Sequence, residues 1–245
     1  MKKNTTPKLT STEVPDTSAS WISYQDVALR VLETSYVTHD VKRFVIEKPP
    51  GFKFIPGQSV YVSINMPEWK TEKRAFTFTN LPEDNFLEFM IKIYRTRNGM
   101  TKKLESINAG DELILHDVFG NIQYKENGVF IAAGTGITPF LSIFRMLEKQ
   151  KKARKNFLIY SNKTSEDVIM GDMLQIMLKK NLVLVYTREN VIGFLEKRID
   201  RAFLIDQIDN FKQHFYLCGP EDFVKSLSEI LVSLGATIDT LIFEQ

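Results

Sequence analysis

Residues 128–139 read GVFIAAGTGITP, and this stretch decides the fold. Gly128 to Ala133 form a continuous apolar run of strand length, the pattern of a strand buried on both faces. The run closes on Gly134-Thr135-Gly136-Ile137-Thr138-Pro139, and a helical pattern follows from Pro139 to about Lys149. Strand, glycine turn and helix in that order are the context a phosphate-binding loop requires. Gly134 and Gly136 allow a tight turn and a close backbone approach to a ligand. Thr138 is expected as the helix N-cap, with Pro139 at the first helical position. The open amides at such a helix start favour a pyrophosphate. Two glycines alone also occur in many plain strand-to-helix turns. Here, moreover, Pro139 stands where the usual dinucleotide fingerprint has its third glycine.

Downstream, strands and helices keep alternating. The order is strand NFLIYS, helix EDVIMGDMLQIMLKK, strand LVLVYT, a helix near 198–208, strand HFYLCG, helix 221–234 and strand TIDTLIF. That alternation predicts a parallel α/β sheet. Upstream the period changes. QDVALRVLE, HDVKRFVIE, SVYVSINM, FTFTN, FLEFMIKIY and DELILHDVF are short, β-branched or aromatic-rich runs between turn signals. Six such strands predict an antiparallel barrel or sandwich, interrupted by one helical piece, GMTKKLES at 99–106. The predicted organisation is a tail over 1–20, a β domain over 21–125 and an α/β domain over 126–245. The first twenty residues are rich in Ser, Thr, Pro and Lys without the apolar core of a secretory signal, and read as flexible.

The composition narrows the function classes. The chain has 245 residues, 43% hydrophobic and 25% charged, with a net charge of +2. Neither half has the basic excess of a nucleic-acid binder. No apolar run reaches the roughly 18 residues of a membrane span. The single cysteine, Cys218, excludes an intrachain disulfide or a Cys-ligated metal cluster and suits a reducing cytoplasm. His39, His116 and His214 are isolated in sequence, so no metal site is expected.

Two further segments carry candidate chemistry. Arg74-Ala75-Phe76-Thr77 places a phosphate-binding fork, an aromatic ring and a hydroxyl on one strand, with Arg74 and Phe76 on one face and Thr77 on the other. Tyr216-Leu217-Cys218-Gly219-Pro220 ends a strand at the carboxyl edge of the α/β sheet, where ligands of such folds bind. It equally fits a buried cysteine before a Gly-Pro turn.

In this order and at these separations, the motifs resemble the ferredoxin–NADP reductase family over about residues 24 to 244. The resemblance implies an antiparallel six-stranded β-barrel that binds a flavin, followed by a parallel α/β domain that binds NAD(P)H. The family's flavin motif appears as Arg74, Phe76 and Thr77, with Phe76 in place of the usual tyrosine. The implied roles are a flavin phosphate for Arg74, ring stacking for Phe76 and a hydrogen bond near flavin N5 for Thr77. Lys92, Ile93 and Tyr94 lead into Gly99-Met100-Thr101, whose amides would meet a pyrophosphate and so favour FAD over FMN. Gly134 to Pro139 matches the nicotinamide-nucleotide motif, with Thr135 and Gly136 at its pyrophosphate. Cys218, Gly219 and Pro220 match the segment that sets the nicotinamide ring, so Thr77 and Cys218 are the expected catalytic pair. Phe243 either shields the flavin or simply ends the last strand; the strand reading is favoured.

At the next strand end, Ser161-Asn162-Lys163 lacks the acid that usually holds a ribose 2′-hydroxyl. Lys163 and Arg188 offer positive charge instead, which leans the expectation toward NADPH over NADH. Without cluster ligands, electrons are expected to leave for a separate acceptor, such as flavodoxin or ferredoxin. A rim of Lys70, Lys73, Arg95, Arg97, Lys102 and Lys103 would steer an acidic carrier, though each also fits a solvated surface. The alternatives are a free-flavin or ferric reductase, or a non-catalytic nucleotide-binding module.

Overall fold

The computed structural model describes residues 26–120, 122–189, 195–196 and 198–243. The tail expected over 1–20 lies outside them. Six strands build the first sheet: β1 Val27–Tyr36, β2 Val41–Glu47, β3 Ser59–Ile64, β4 Arg74–Thr77, β5 Phe86–Lys92 and β6 Glu112–Phe119. Their order is β4-β3-β6-β1-β2-β5, with every neighbouring pair antiparallel. The two edges meet just past β4, where the Thr79 amide donates to the Glu88 carbonyl of β5 at 3.0 Å. The sheet therefore closes on itself as the expected barrel. Alternate residues point inward, so Phe44, Val60, Val62, Leu87 and Phe89 are fully buried in one core. The piece expected at 99–106 is a short helix, α1 Met100–Lys103, followed by a 3₁₀ turn over Leu104–Ser106. Buried Met100 and Leu104 tie it to the barrel core.

The second sheet is wholly parallel. Its strands are β7 Gly128–Ala133, β8 Phe157–Asn162, β9 Leu182–Tyr186, the two-residue β10 Leu195–Glu196, β11 His214–Cys218 and β12 Leu241–Phe243. Their order is β10-β9-β8-β7-β11-β12. Helices α2 Thr138–Lys149, α3 Gly171–Leu178, α4 Arg201–Gln207 and α5 Glu221–Ser233 alternate with them. As its unbroken apolar run demands, β7 lies inside the sheet with both faces covered. Phe130 and Ala132 pack in the core that holds α2 and α3, while Val129 and Ile131 pack in the core that holds α4 and α5. Phe130 stacks on Tyr216 of β11 at 4.2 Å between ring centres. From α2, Phe140, Leu141, Ile143, Phe144 and Leu147 are fully buried. Each such side chain contributes about 1.5–3 kcal/mol by leaving water.

Two elements are shorter than their patterns predict. The helix expected from Glu166 starts only at Gly171. Thr164 and Asp167 form a reciprocal capping turn, and Met170 has φ +54°, so the chain turns before it winds. The strand expected over 237–243 shrinks to β12, because Thr237 and Thr240 form a second capping turn. Phe243 ends that strand beside Leu217, in line with the favoured strand reading.

A buried polar seam joins α2 to the barrel. The Ser142 hydroxyl donates to the Asn80 carbonyl at 2.6 Å. Arg145 Nη1 donates to the Thr79 carbonyl and to Glu88 Oε1, each at 2.6 Å. Glu88 also accepts from Arg43 Nε at 2.6 Å and from Thr79 Oγ1 at 2.7 Å. Burial pushes the Glu88 carboxyl up, but the Arg145 charge and the hydrogen bonds from Arg145, Arg43 and Thr79 outweigh it and hold the group below its ordinary value. The seam fixes how the barrel faces the α/β sheet.

Candidate cofactor-binding cleft

The loop after β7 winds as a 3₁₀ turn over Gly134–Ile137 and runs straight into α2. Gly134 has φ +53°, a conformation natural to glycine. Gly136 is fixed by crowding instead: a Cβ there would lie 2.3 Å from the Cys218 carbonyl oxygen. The capping expectation needs correction. Thr138 is the first helical residue and Pro139 the second, because the turn continues into the helix without an extended cap residue. The Thr138 hydroxyl donates back to the Thr135 carbonyl at 3.0 Å. The Tyr160 phenol of β8 donates to the Gly134 carbonyl at 3.1 Å and so holds the turn from below. Burial pushes that phenol up, keeping it protonated.

A cleft of about 660 Å³ opens above these carboxyl-end loops and faces the barrel. It brings together Thr77, Lys92 and Tyr94 with Gly134, Thr135, Gly136 and Thr138. Ser161, Asn162 and Lys163 line it from β8, and Cys218, Gly219 and Pro220 line it from β11. Most residues picked from the sequence therefore share one space. The others do not line it. Arg74 is exposed on β4 and paired with Glu72 at 2.5 Å. Ala75 is exposed beside it. Phe76, half-buried, packs against the barrel core, and the aromatic ring lining the cleft is Tyr94. Ile93 and Met100 are buried in the barrel core. Gly99 lines a separate hollow with Trp69, Lys102 and Lys103, and Thr101 follows it in α1. Arg188 is exposed, its amide donating to the Lys163 carbonyl at 2.9 Å.

Sequence reading missed Val41, Ala133, Asp167, Ile169 and Thr187, which also line the cleft. Asp167 had a signal, the Thr-x-x-Asp spacing of a capping turn. Val41 and Ile169 had none, since only the meeting of two distant segments brings them there. At the cleft edge, Lys92 Nζ lies 2.6 Å from Asp40 Oδ2. Ligand atoms of His39, Asp40 and Asp167 lie within 4.8 Å of one another, with Lys92 already supplying positive charge to the group.

The cleft suits a dinucleotide on two observations. Asn162 is 4% exposed, yet among the described residues its side-chain amide makes no hydrogen bond of good geometry; only the neighbouring Tyr160 phenol bears on it. A poorly paired buried amide costs about 1–3 kcal/mol, which a polar ligand in the cleft relieves. Gly136 and Gly219 let the β7 and β11 loops pack backbone to backbone at the cleft wall, where a side chain has no room: a Cβ on Gly219 would meet Phe223 Cδ1 at 2.9 Å and Ala133 Cβ at 3.0 Å.

Comparison with known proteins agrees with this geometry. An oxidoreductase FAD-binding domain model matches residues 28–124, and an oxidoreductase NAD-binding domain model matches residues 130–229. The ferredoxin NADP+ reductase from Neisseria gonorrhoeae, solved with bound FAD and NADP, superposes with a TM-score of 0.79 at 22% identity, covering 90% of this chain and 98% of that one. The flavohem-like FAD/NAD-binding domain of a Vibrio cholerae nitric oxide dioxygenase gives a TM-score of 0.79 at 20% identity, covering 89% and 97%. Barrel, sheet and cleft thus define an oxidoreductase with FAD- and NAD-binding domains. The chain belongs to the ferredoxin–NADP reductase-like family of flavoprotein reductases.

Among curated proteins, the reductase component of propane 2-monooxygenase from Rhodococcus jostii is 26% identical over 246 residues, covering 91% of this chain and 64% of that protein. Cytochrome b5 reductase 4 from Bos taurus is 27% identical over 232 residues, covering 84% and 44%. The chain spans less than two thirds of the length of these first relatives. Among the described residues, no helix is long and apolar enough to cross a membrane.

Proposed function

We propose that this chain takes hydride from NAD(P)H onto FAD and passes the electrons to a separate acceptor. One observation carries the reading: Thr77 and Tyr94 of the barrel face the Gly134–Gly136 and Cys218–Pro220 loops across one cleft. When bound, FAD would supply the redox chemistry, a site for a two-electron hydride from nicotinamide and for onward release of those electrons, singly or paired, with the accompanying proton lost to solvent. The chain's own residues position the partners. Thr77 donates a hydrogen bond near the hydride-accepting atom. Thr135 and Gly136 hold the nucleotide pyrophosphate on backbone amides. Cys218 packs against the nicotinamide ring and orients it, with Gly219 and Pro220 shaping the turn. Arg74, Gly99 and Thr101 hold the flavin phosphates; for Arg74 this requires leaving Glu72. The proposed division at 125/126 falls between the two family matches.

For the nucleotide, Lys163 in the cleft supports NADPH through its charge. A second reading, NADH, is favoured by relatives whose names specify it, such as NADH-cytochrome b5 reductase 1 from Eremothecium gossypii. The acceptor class is a small electron-carrier protein, flavodoxin or ferredoxin in the first instance, in a cytoplasmic setting. The alternative acceptor is free flavin or a ferric chelate. Of the expected rim, Arg95 is already bound to Glu105 at 2.7 Å, and Arg97 lies over the Tyr94 ring at 5.3 Å, at the edge of the cleft. Turnover with NADPH and NADH against a panel of flavodoxin, ferredoxin, cytochrome b5, free FMN and ferric chelate tests the reading. Preference for a protein acceptor supports it; turnover with small acceptors alone moves it to the alternative.

A further inference from the structure

Ser59 opens β3 and stands opposite Thr77 in the β3–β4 register. The two hydroxyl oxygens are 3.1 Å apart. Their surroundings differ. Ser59 is 2% exposed, whereas Thr77 is half-buried and lines the cleft. Among the described residues, Thr77 is the one hydrogen-bond partner of the Ser59 hydroxyl.

That asymmetry sets the direction of the bond. A hydroxyl carries one proton and two acceptor lone pairs. If Thr77 donated, the Ser59 proton would be left unpaired in a dry place, at a cost of a full desolvation penalty. If Ser59 donates, its proton is satisfied and the Thr77 proton is left to point into the cleft.

We propose that Ser59 is a positioning residue: it donates to Thr77 Oγ1, so that Thr77 presents its own proton to a hydrogen-bond acceptor on the flavin. This rests on the reading that places a flavin against Thr77. The backbone around the pair is built to hold it. The Phe78 amide, next to Thr77, donates to the Gln58 carbonyl, next to Ser59, at 3.1 Å. Gln58 Oε1 accepts from the Ile55 amide at 2.7 Å. A Cβ on Gly57 would lie 2.0 Å from the Ile122 carbonyl, so that turn is clamped from outside. Thr77 is β-branched and stiff at χ1, so its hydroxyl stays aimed once its oxygen is engaged.

The test uses the FAD-loaded full chain and reads three quantities: FAD affinity, the anaerobic rate of FAD reduction by NAD(P)H, and the flavin midpoint potential. Ser59→Ala is expected to keep FAD affinity within about twofold, to lower the reduction rate roughly five- to tenfold, the worth of one neutral hydrogen bond, and to shift the potential. Ser59→Cys, close in size but a weak donor, is expected to behave like Ser59→Ala, and Ser59→Thr to retain the wild-type rate. In a Thr77→Val background, Ser59→Ala is expected to add no further loss, because it acts through Thr77. An unchanged rate and potential in both Ser59→Ala and Ser59→Cys, or a loss that adds to that of Thr77→Val, overturns the inference while the flavin site stands. A wild-type protein that takes up no FAD overturns the site reading itself.

Discussion

Gly136 sits directly under the Cys218 carbonyl, so close that a Cβ would come within 2.3 Å of its oxygen. The loop after β7 and the loop after β11 therefore meet backbone to backbone, between the two motifs assigned to the nucleotide. Gly136→Ala must push them apart. It is expected to cost about 1–3 kcal/mol and to lower the melting temperature by several degrees. The KM for NAD(P)H should rise more than kcat falls. Thermal unfolding and steady-state kinetics on the same preparation check this. A variant with wild-type KM would separate this contact from nucleotide binding.

Asn162 offers a stability test of binding. Its amide is buried in the cleft wall and, among the described residues, makes no hydrogen bond of good geometry, with only the Tyr160 phenol bearing on it. Replacing a poorly paired buried amide by an apolar side chain of similar volume removes a penalty from the ligand-free protein. Asn162→Leu is therefore expected to stabilise the ligand-free protein by about 1 kcal/mol and to weaken nucleotide binding by tenfold or so. Calorimetric unfolding and NADP+ titration read the two effects. Loss of stability together with unchanged affinity would place the amide in a purely structural role.

The Glu88–Arg145 pair predicts an acid limb. Glu88 lies below its ordinary value of 4.5 in the fold. The stability it contributes is thus fully present above that value and is lost as pH falls through the lower, folded value. Glu88→Gln is expected to be less stable at pH 7 and to lose less on further acidification. Arg145→Ala leaves the carboxylate buried with Arg43 and Thr79, and is expected to cost about 3 kcal/mol. Melting temperature measured from pH 7 down to pH ~3 compares the three proteins over the carboxylate range. Parallel curves for wild type and Glu88→Gln would remove this group from the acid transition.

Lys163 is an exposed cation at the cleft wall. If it meets a 2′-phosphate, Lys163→Glu should lower kcat/KM for NADPH by about tenfold or more, one lost charge-assisted contact, and leave NADH within a factor of about two. An equal fall for both nucleotides would assign Lys163 to a part they share. No change for either would place it at the surface.

Much of this arrangement is legible in the residue pattern because its signals are local. The apolar run at 128–133 and the glycine turn after it name a buried parallel strand and a ligand-facing loop without help from the rest of the chain. The six short strands upstream, each bounded by turn residues, likewise announce the barrel. What was not legible depends on distant pairings. Nothing near Glu88 or Arg145 in sequence says that they meet. Ser59 reads as ordinary strand decoration until β4 lies beside it. Thr138 looks like a cap, and ceases to be one because the preceding turn is already helical. Arg74, Phe76 and Gly99, tied by motif to the flavin, lie off this cleft: Arg74 is paired with Glu72, Phe76 packs on the barrel core and Gly99 lines a hollow at α1. At Asp167 the capping turn is written in the Thr-x-x-Asp spacing, a local signal that points to a turn but not to the cleft.

The most direct test of the central claim is anaerobic mixing of the FAD-incubated protein with NADPH, and separately NADH, while the visible flavin absorbance is followed. Uptake of FAD into a yellow protein, bleached by at least one nucleotide with one flavin reduced per nucleotide consumed, is the predicted result. A protein that stays colourless after incubation with FAD, or a bound flavin that neither nucleotide bleaches, would contradict it.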